Sequence, residues 1–450
     1  MIGTLLAHGI GGRTDLPLPA WQLAWAAGFS VAISFVALGA FWERPHLAAA
    51  ARGRALWTAV GPPARVLEVV LKVCGLGLFG VVLYAAWRGN TNFAVNIAGD
   101  AFLIWFWVGL QFVSAVFGDV WRAFNPYFTI ADSAAWVRAK VTGTPISDIE
   151  HGAATLWPAT IAIFAYLWFE LAYNSLWFES EIRSAAHPRS IAAFLTVYSL
   201  VMVVGSSVRG RGWVRTADGF SVLFAKLGAM AVFHLDDERR IRVRPPLAGL
   251  ATVAPVVGLV PFVLVVLGST SFDGFTRSSV WFDIAGDRAG WSLTVVSTIG
   301  LLAIILLVSM IYIFAMNLMA SVTGDDANEL AAVFGPTLVP IAAAYAVAHY
   351  FSLLVLDGQR MFIQISDPLG RGWDLFGTKD YEINWLLVSP STIAWVQTLA
   401  IAIGHVLAVA AAHDRAISRY PHDVAVRSQY PMLGVMVVYT VVGLFLLLGV

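Results

Sequence analysis

Cysteine is almost missing from this chain. Cys74 stands alone in 450 residues, which rules out an intrachain disulfide and any metal site built from cysteines. It lies in an apolar run and reads as a small packing hydrophobe. Charge is sparse too: charged residues make up only 12% of the chain, and the 28 basic and 28 acidic side chains cancel. With no basic excess, the chain carries no electrostatic footprint for nucleic acid. HExxH, GxSxG and Walker spacings are all lacking, so no common catalytic signature announces a chemistry. What fills the chain is hydrocarbon. It is 59% hydrophobic with a mean hydropathy of +0.75, outside the soluble range. The 18 Trp and 28 Phe suit interfacial belts and helix packing in lipid.

This composition predicts an all-α fold, a polytopic transmembrane helical bundle forming one integral membrane domain over residues 1–450. Apolar stretches of about 20 residues place about ten spanning helices near 20–42, 66–87, 94–117, 154–174, 190–207, 248–268, 292–318, 332–356, 391–411 and 430–449. Most Lys and Arg residues fall between helices 1 and 2, 3 and 4, 5 and 6, and 9 and 10. The positive-inside rule then sets both termini outside a plasma membrane.

The connecting segments have characters of their own. Residues 118–152 and 208–247 carry aromatics beside basic residues and read as amphipathic helices lying at the inner interface. Asn125-Pro126 is an N-cap followed by a first-turn proline. The outer loop 357–390 has turn chemistry at Asp367-Pro368 and enough aromatics to fold as a lid. Residues 1–19 form an outer leader. Met1 to Ala7 is either part of that leader or the remnant of a secretory signal. Cleavage after Ala7 would leave His8 as a free N-terminal histidine, whose amine and imidazole can chelate a transition metal.

Ionisable groups inside apolar helices are functional candidates by default. His349 stands in Phe334–Leu356, a stretch whose Pro336 and Pro340 predict a bent or late-starting helix. Tyr345 lies one turn before His349 on the same face. Asp100 follows Asn96 by one turn in helix 3, Glu170 follows Tyr166 by one turn in helix 4, and Asp273 lies outside, beyond helix 6, where Gly274 beside it signals a turn. His349, Asp100, Glu170 and Asp273 fall in the outer third of the bilayer or at its outer rim. Carboxylates with imidazole suit a divalent metal such as zinc, manganese or copper, with His349, Asp100, Glu170 and His8 as the candidate ligands. His405 and His413 in helix 9 extend toward the inside as a proton or ion path, or as interhelical hydrogen bonds. Glu68 and Lys72 make an i,i+4 pair of structural character.

Several stretches taken together carry a resemblance: AHGIGGRTDLPLP at the start, GDVWRAFNP after helix 3, LGSTSFDGF after helix 6, PTLVPIAAAYAVAHYFSLLV in helix 8, GRGWDLFGT in the outer loop and GHVLAVAAAHDRA in helix 9. In this order they resemble the bacterial integral-membrane fenitrothion hydrolases over nearly the whole chain. The resemblance implies hydrolysis of organophosphorus triesters at the P–O-aryl bond and brings no catalytic residues with it. The first reading is therefore a membrane hydrolase of apolar phosphotriesters or related esters, using metal-activated water at the outer face. Arg13 or Arg360 would stabilise charge on the phosphoryl group. The alternatives are a transporter or channel built on a proline-broken helix, and a structural subunit of a membrane complex. The implied partners are the lipid bilayer and an apolar small molecule.

Overall fold

In hydrocarbon a backbone has no water to bond, so apolar segments satisfy their own N–H and C=O groups as helices. The computed structural model describes residues 18–58, 62–143, 155–174, 185–236 and 240–448, and these form an all-α bundle. Its main helices are α1 (Ala20–Phe41), α2 (Pro62–Arg88), α3 (Ile97–Phe117), α4 (Pro126–Thr142), α5 (Trp157–Leu171), α6 (Pro188–Arg209), α7 (Gly219–Ala229), α8 (Leu259–Phe275), α9 (Ser279–Ala285), α10 (Gly290–Thr323), α11 (Ala327–Val355), α12 (Pro390–Ile417) and α13 (His422–Leu448). Among the described residues, eight are long and apolar enough to cross a membrane. The pair α8 and α9, bent by 88°, makes a ninth if taken as one span. The remaining expected span is α5, whose 15 residues fall short of the about 20 that a hydrocarbon core needs. The expected helix 248–268 starts late, because Gly258 turns the chain with a positive φ just before α8.

Helix α11 is the axis of the bundle. Of its apolar window 78% is buried, against 6% for α2 and 22% for the lipid-facing α10. Its prolines act as the sequence predicts: Gly335–Leu338 tightens into a 3₁₀ turn and the α-helix resumes at Val339. Against it lies α12, close enough that a Cβ on Gly404 would meet the Ala344 Cβ at 2.1 Å and the Pro340 carbonyl at 2.9 Å. Small residues let membrane helices approach in this way. Helix α3 is wound as a π-helix from Asp100 to Gly109, a rare geometry that often accompanies function.

Two loop readings change. Helix α4 does carry the expected N-cap, with Asn125 Oδ1 accepting from Tyr127 N at 2.8 Å, and it buries Tyr127 and Phe128 while leaving Trp136 and Val141 exposed. Helix α7 does not lie on the surface. It is buried along its length, and Phe220 packs edge-on to Phe106 and Tyr166 at 4.9 Å. A long-range polar knot draws it in: Asp218 accepts from Tyr198 Oη at 2.6 Å, Ser221 Oγ at 2.6 Å and Asn125 Nδ2 at 2.9 Å. A small antiparallel sheet, ordered β1 (Arg54–Thr58), β3 (Arg240–Val243), β2 (Phe233–Leu235), was also not expected. The Arg-Ile-Arg-Val alternation of β3 is strand-like, and Arg242 donates to the carbonyls of Arg52 and Gly53.

Replacing Gly404 with Leu should lower the melting temperature and the monodisperse yield, since overpacking costs about 1–3 kcal/mol or more where backbone is the obstacle. Gly434→Ala, with nothing within 4 Å of its added Cβ, should leave both unchanged in the same thermal-shift assay.

Candidate functional site

The break between α8 and α9 supplies half of the site. Asp273 sits in the last turn of α8 and Arg277 in the three-residue break that follows. Helix α11 supplies the other half, with Tyr345 and His349 one turn apart. His349 Nε2 lies 2.8 Å from Asp273 Oδ2, and both side chains are almost wholly enclosed, at 0% and 2% exposure. The other ring nitrogen, Nδ1, is 3.0 Å from Tyr345 Oη, and the same hydroxyl donates to Asp273 Oδ2 at 3.1 Å, so the three groups close into one cluster. The two rings stack with centroids 5.1 Å apart. Arg277 Nη2 approaches Nε2 to 3.1 Å.

These contacts constrain the protons. A guanidinium only donates, so Nε2 cannot both give a proton to Asp273 and accept one from Arg277. The shorter contact to an ionised acceptor is the stronger one, which places a proton on Nε2, while the single Tyr345 proton is donated to Asp273 Oδ2 with Nδ1 also within its reach at 3.0 Å. Burial separates the members: Asp273 and His349 are closed off, whereas Tyr345 and Arg277 keep partial exposure.

The other expected residues divide. Glu170 is near: its Oε1 accepts from Tyr350 Oη at 3.3 Å, and the Tyr350 ring stands edge-on to His349 at 4.6 Å. Asp100 is not part of this cluster. Arg360 grips it through Nε at 2.6 Å and Nη2 at 3.3 Å, and also reaches Asp357 at 3.3 Å. Burial holds the Asp357 carboxyl above the usual range, with Arg360 pulling it back. Arg360 is therefore committed to two carboxylates and is not available to a substrate. Asn96 caps α3 and donates to the carbonyls of Ala85 and Asn90, a structural role. The loop after Asp357 docks on the α2–α3 connection, where Asn90 N donates to Leu369 O and Ile97 N to Pro368 O. His8 and Arg13 lie outside the described residues.

The inner histidines are not equivalent. His413 is spent at both nitrogens, accepting from Gln429 Nε2 and donating to the Trp42 carbonyl, each at 3.2 Å. Beside it Asp414 Oδ1 accepts from Trp42 Nε1 and from the backbone N–H of His46 and Leu47, fixing the turn after α1. His405 donates through Nδ1 to Ile401 O at 2.8 Å, and its Nε2 is buried with no hydrogen bond among the described residues. Glu68 and Lys72 pair at 2.9 Å as expected, with Asp132 added at 3.0 Å.

Catalytic zinc sites take three protein ligands, and no group of three His, Cys, Asp or Glu converges among the described residues. Asp273 and His349 supply two, but the Arg277 guanidinium sits against the same Nε2 and puts a positive charge where an ion would have to sit. Taken with the other described residues, this set does not fit a divalent metal. Sequence reasoning also missed Arg277, which reads as an ordinary loop cation, although its place four residues after Asp273 was the available signal. Comparison with protein-family models, curated proteins and solved structures returns no match to this chain.

Removing one partner of a buried ion pair strands the other. Arg360→Ala should therefore destabilise the protein by about 3–5 kcal/mol, read by thermal or denaturant unfolding in detergent. Adding Asp100→Asn to it should recover part of that loss.

Proposed function

We propose that this chain is a membrane-embedded hydrolase of apolar phosphotriesters or related esters, with Asp273, His349, Tyr345 and Arg277 as its reacting set. The observation that carries the reading is the closed cluster in which Asp273 Oδ2 meets both His349 Nε2 and the Tyr345 hydroxyl, with that hydroxyl also against Nδ1 and a guanidinium against Nε2. It has the logic of a carboxylate-oriented imidazole acting on a hydroxyl. Tyr345, half-buried like Arg277, takes a proton from the attacking water as its own passes to His349 Nδ1. Asp273 stabilises the imidazolium that forms. The water oxygen bonds to phosphorus, the P–O-aryl bond breaks, and the aryloxide leaves with the electron pair. Arg277 donates to the phosphoryl oxygen or sulfur as charge builds there. The His349 proton then passes to solvent or to the departing aryloxide. An apolar ester would reach the break from the lipid, and the surrounding apolar helices would exclude bulk water. The resemblance noted in the sequence points to the same substrate class, and the charge distribution favours placement of the site on the outer side of a plasma membrane.

A second reading, a proton-coupled transporter, is favoured by one specific observation. The helix break carries charged residues at its bend, as transporter sites do, and a polar line leads away from it: Ser271 Oγ contacts Tyr439 Oη, and the Tyr439 ring lies 5.9 Å from His405.

Purified protein with a nitrophenyl phosphotriester separates the two. Turnover should persist in chelator, fall about 10²- to 10⁴-fold in His349→Gln as for loss of a general base, and fall about 10²- to 10³-fold in Arg277→Gln. His405→Ala should retain activity. Absent turnover, together with solute or proton uptake in proteoliposomes that is lost in His405→Ala, would replace the hydrolase with the transporter.

A further inference from the structure

Far along the chain from this cluster, where α3 runs out, a cleft of about 170 Å³ opens between the turn after α3, helix α4, the residue before α5 and helix α7. Three cations line it, Arg122, Arg215 and Lys226, against one carboxylate, Asp119. None of the three cations forms an ion pair among the described residues. Asp119 interacts with both Arg122 and Lys226, but a single carboxylate against three cations leaves the lining with an excess of positive charge. The nearby Asp218 is already occupied by Tyr198, Ser221 and Asn125. Uncompensated positive charge in a partly enclosed cleft is an attractive field for an anion.

We propose that this cleft binds the phosphate group of an anionic molecule, a phospholipid headgroup or free phosphate, through Arg122, Arg215 and Lys226. Guanidinium forks match phosphate oxygens in pairs and a lysine adds a point charge. The cleft is smaller than the about 300 Å³ at which drug-sized pockets begin, which suits a headgroup-sized anion. Its level also fits. It lies just beyond the end of α3, beside α4 with its exposed Trp136 and the basic Arg138 and Lys140, where a juxtamembrane basic cluster meets anionic lipid.

The test measures binding to the purified full-length protein by native mass spectrometry and thermal shift. One arm adds phosphatidylglycerol against phosphatidylcholine, and the other adds inorganic phosphate. Lys226→Gln and Arg215→Gln should each weaken binding about tenfold or more, the scale of one charge-assisted hydrogen bond. Asp119→Asn should strengthen it, which keeps the test decisive if a cation variant folds poorly. Preference for phosphatidylglycerol assigns a lipid headgroup, and response to phosphate without lipid preference assigns the free anion. No binding in either arm, or binding that none of these variants alters, would overturn the proposal.

Discussion

Desolvation decides the architecture of this bundle, because a carboxylate removed from water must be paired, hydrogen-bonded or neutralised. Four buried aspartates show the available solutions. Asp218 gathers two hydroxyls, an amide and a backbone N–H, and in doing so stitches α4, α6 and α7 together. Asp414 accepts backbone and indole N–H groups and holds the turn after α1. Asp100 is gripped by Arg360. Each of these three meets partners that keep their protons at neutral pH, so each is static. Asp273 alone pairs with a group able to gain and lose a proton, His349.

That difference separates structural polarity from chemical polarity in this molecule. The place of Asp273 also matters. It stands at an 88° break, where the helix stops and the chain can present Arg277 to the same ring. The central helix α11 holds the imidazole rigidly, since its packing against α12 leaves no room for even one additional methyl at Gly404. Rigid helices on one side and a broken helix on the other suit a site that must be both preorganised and reachable.

How much of this was legible in the sequence follows from the range of each signal. Apolar runs and their prolines are local, so the helical bundle and the tightened turn before α11 could be read directly. His349 and Tyr345 stood out because polar groups in apolar helices are rare, and Asp273 because Gly274 beside it signals a turn. Depth along a helix, however, says nothing about which face meets which, so Asp100 was grouped with His349 although Arg360 had claimed it. Arg360 and Asp100 are 260 residues apart. The same distance hid the sheet, and it hid the Asn125–Asp218 contact that pulls α7 into the core against its surface-like composition. Arg277 was concealed by its setting in a polar loop sequence, since only the bend turns it back onto His349.

The central claim is that Asp273, His349, Tyr345 and Arg277 act as one chemical unit. A double-mutant cycle measures this most directly: turnover of a nitrophenyl phosphotriester by Asp273→Asn, His349→Gln and the double variant, each checked for folding by thermal shift. Residues that work as a unit lose activity non-additively. The account predicts that the double variant is no slower than the slower single variant. Losses that multiply would show that the two side chains act independently and would contradict it.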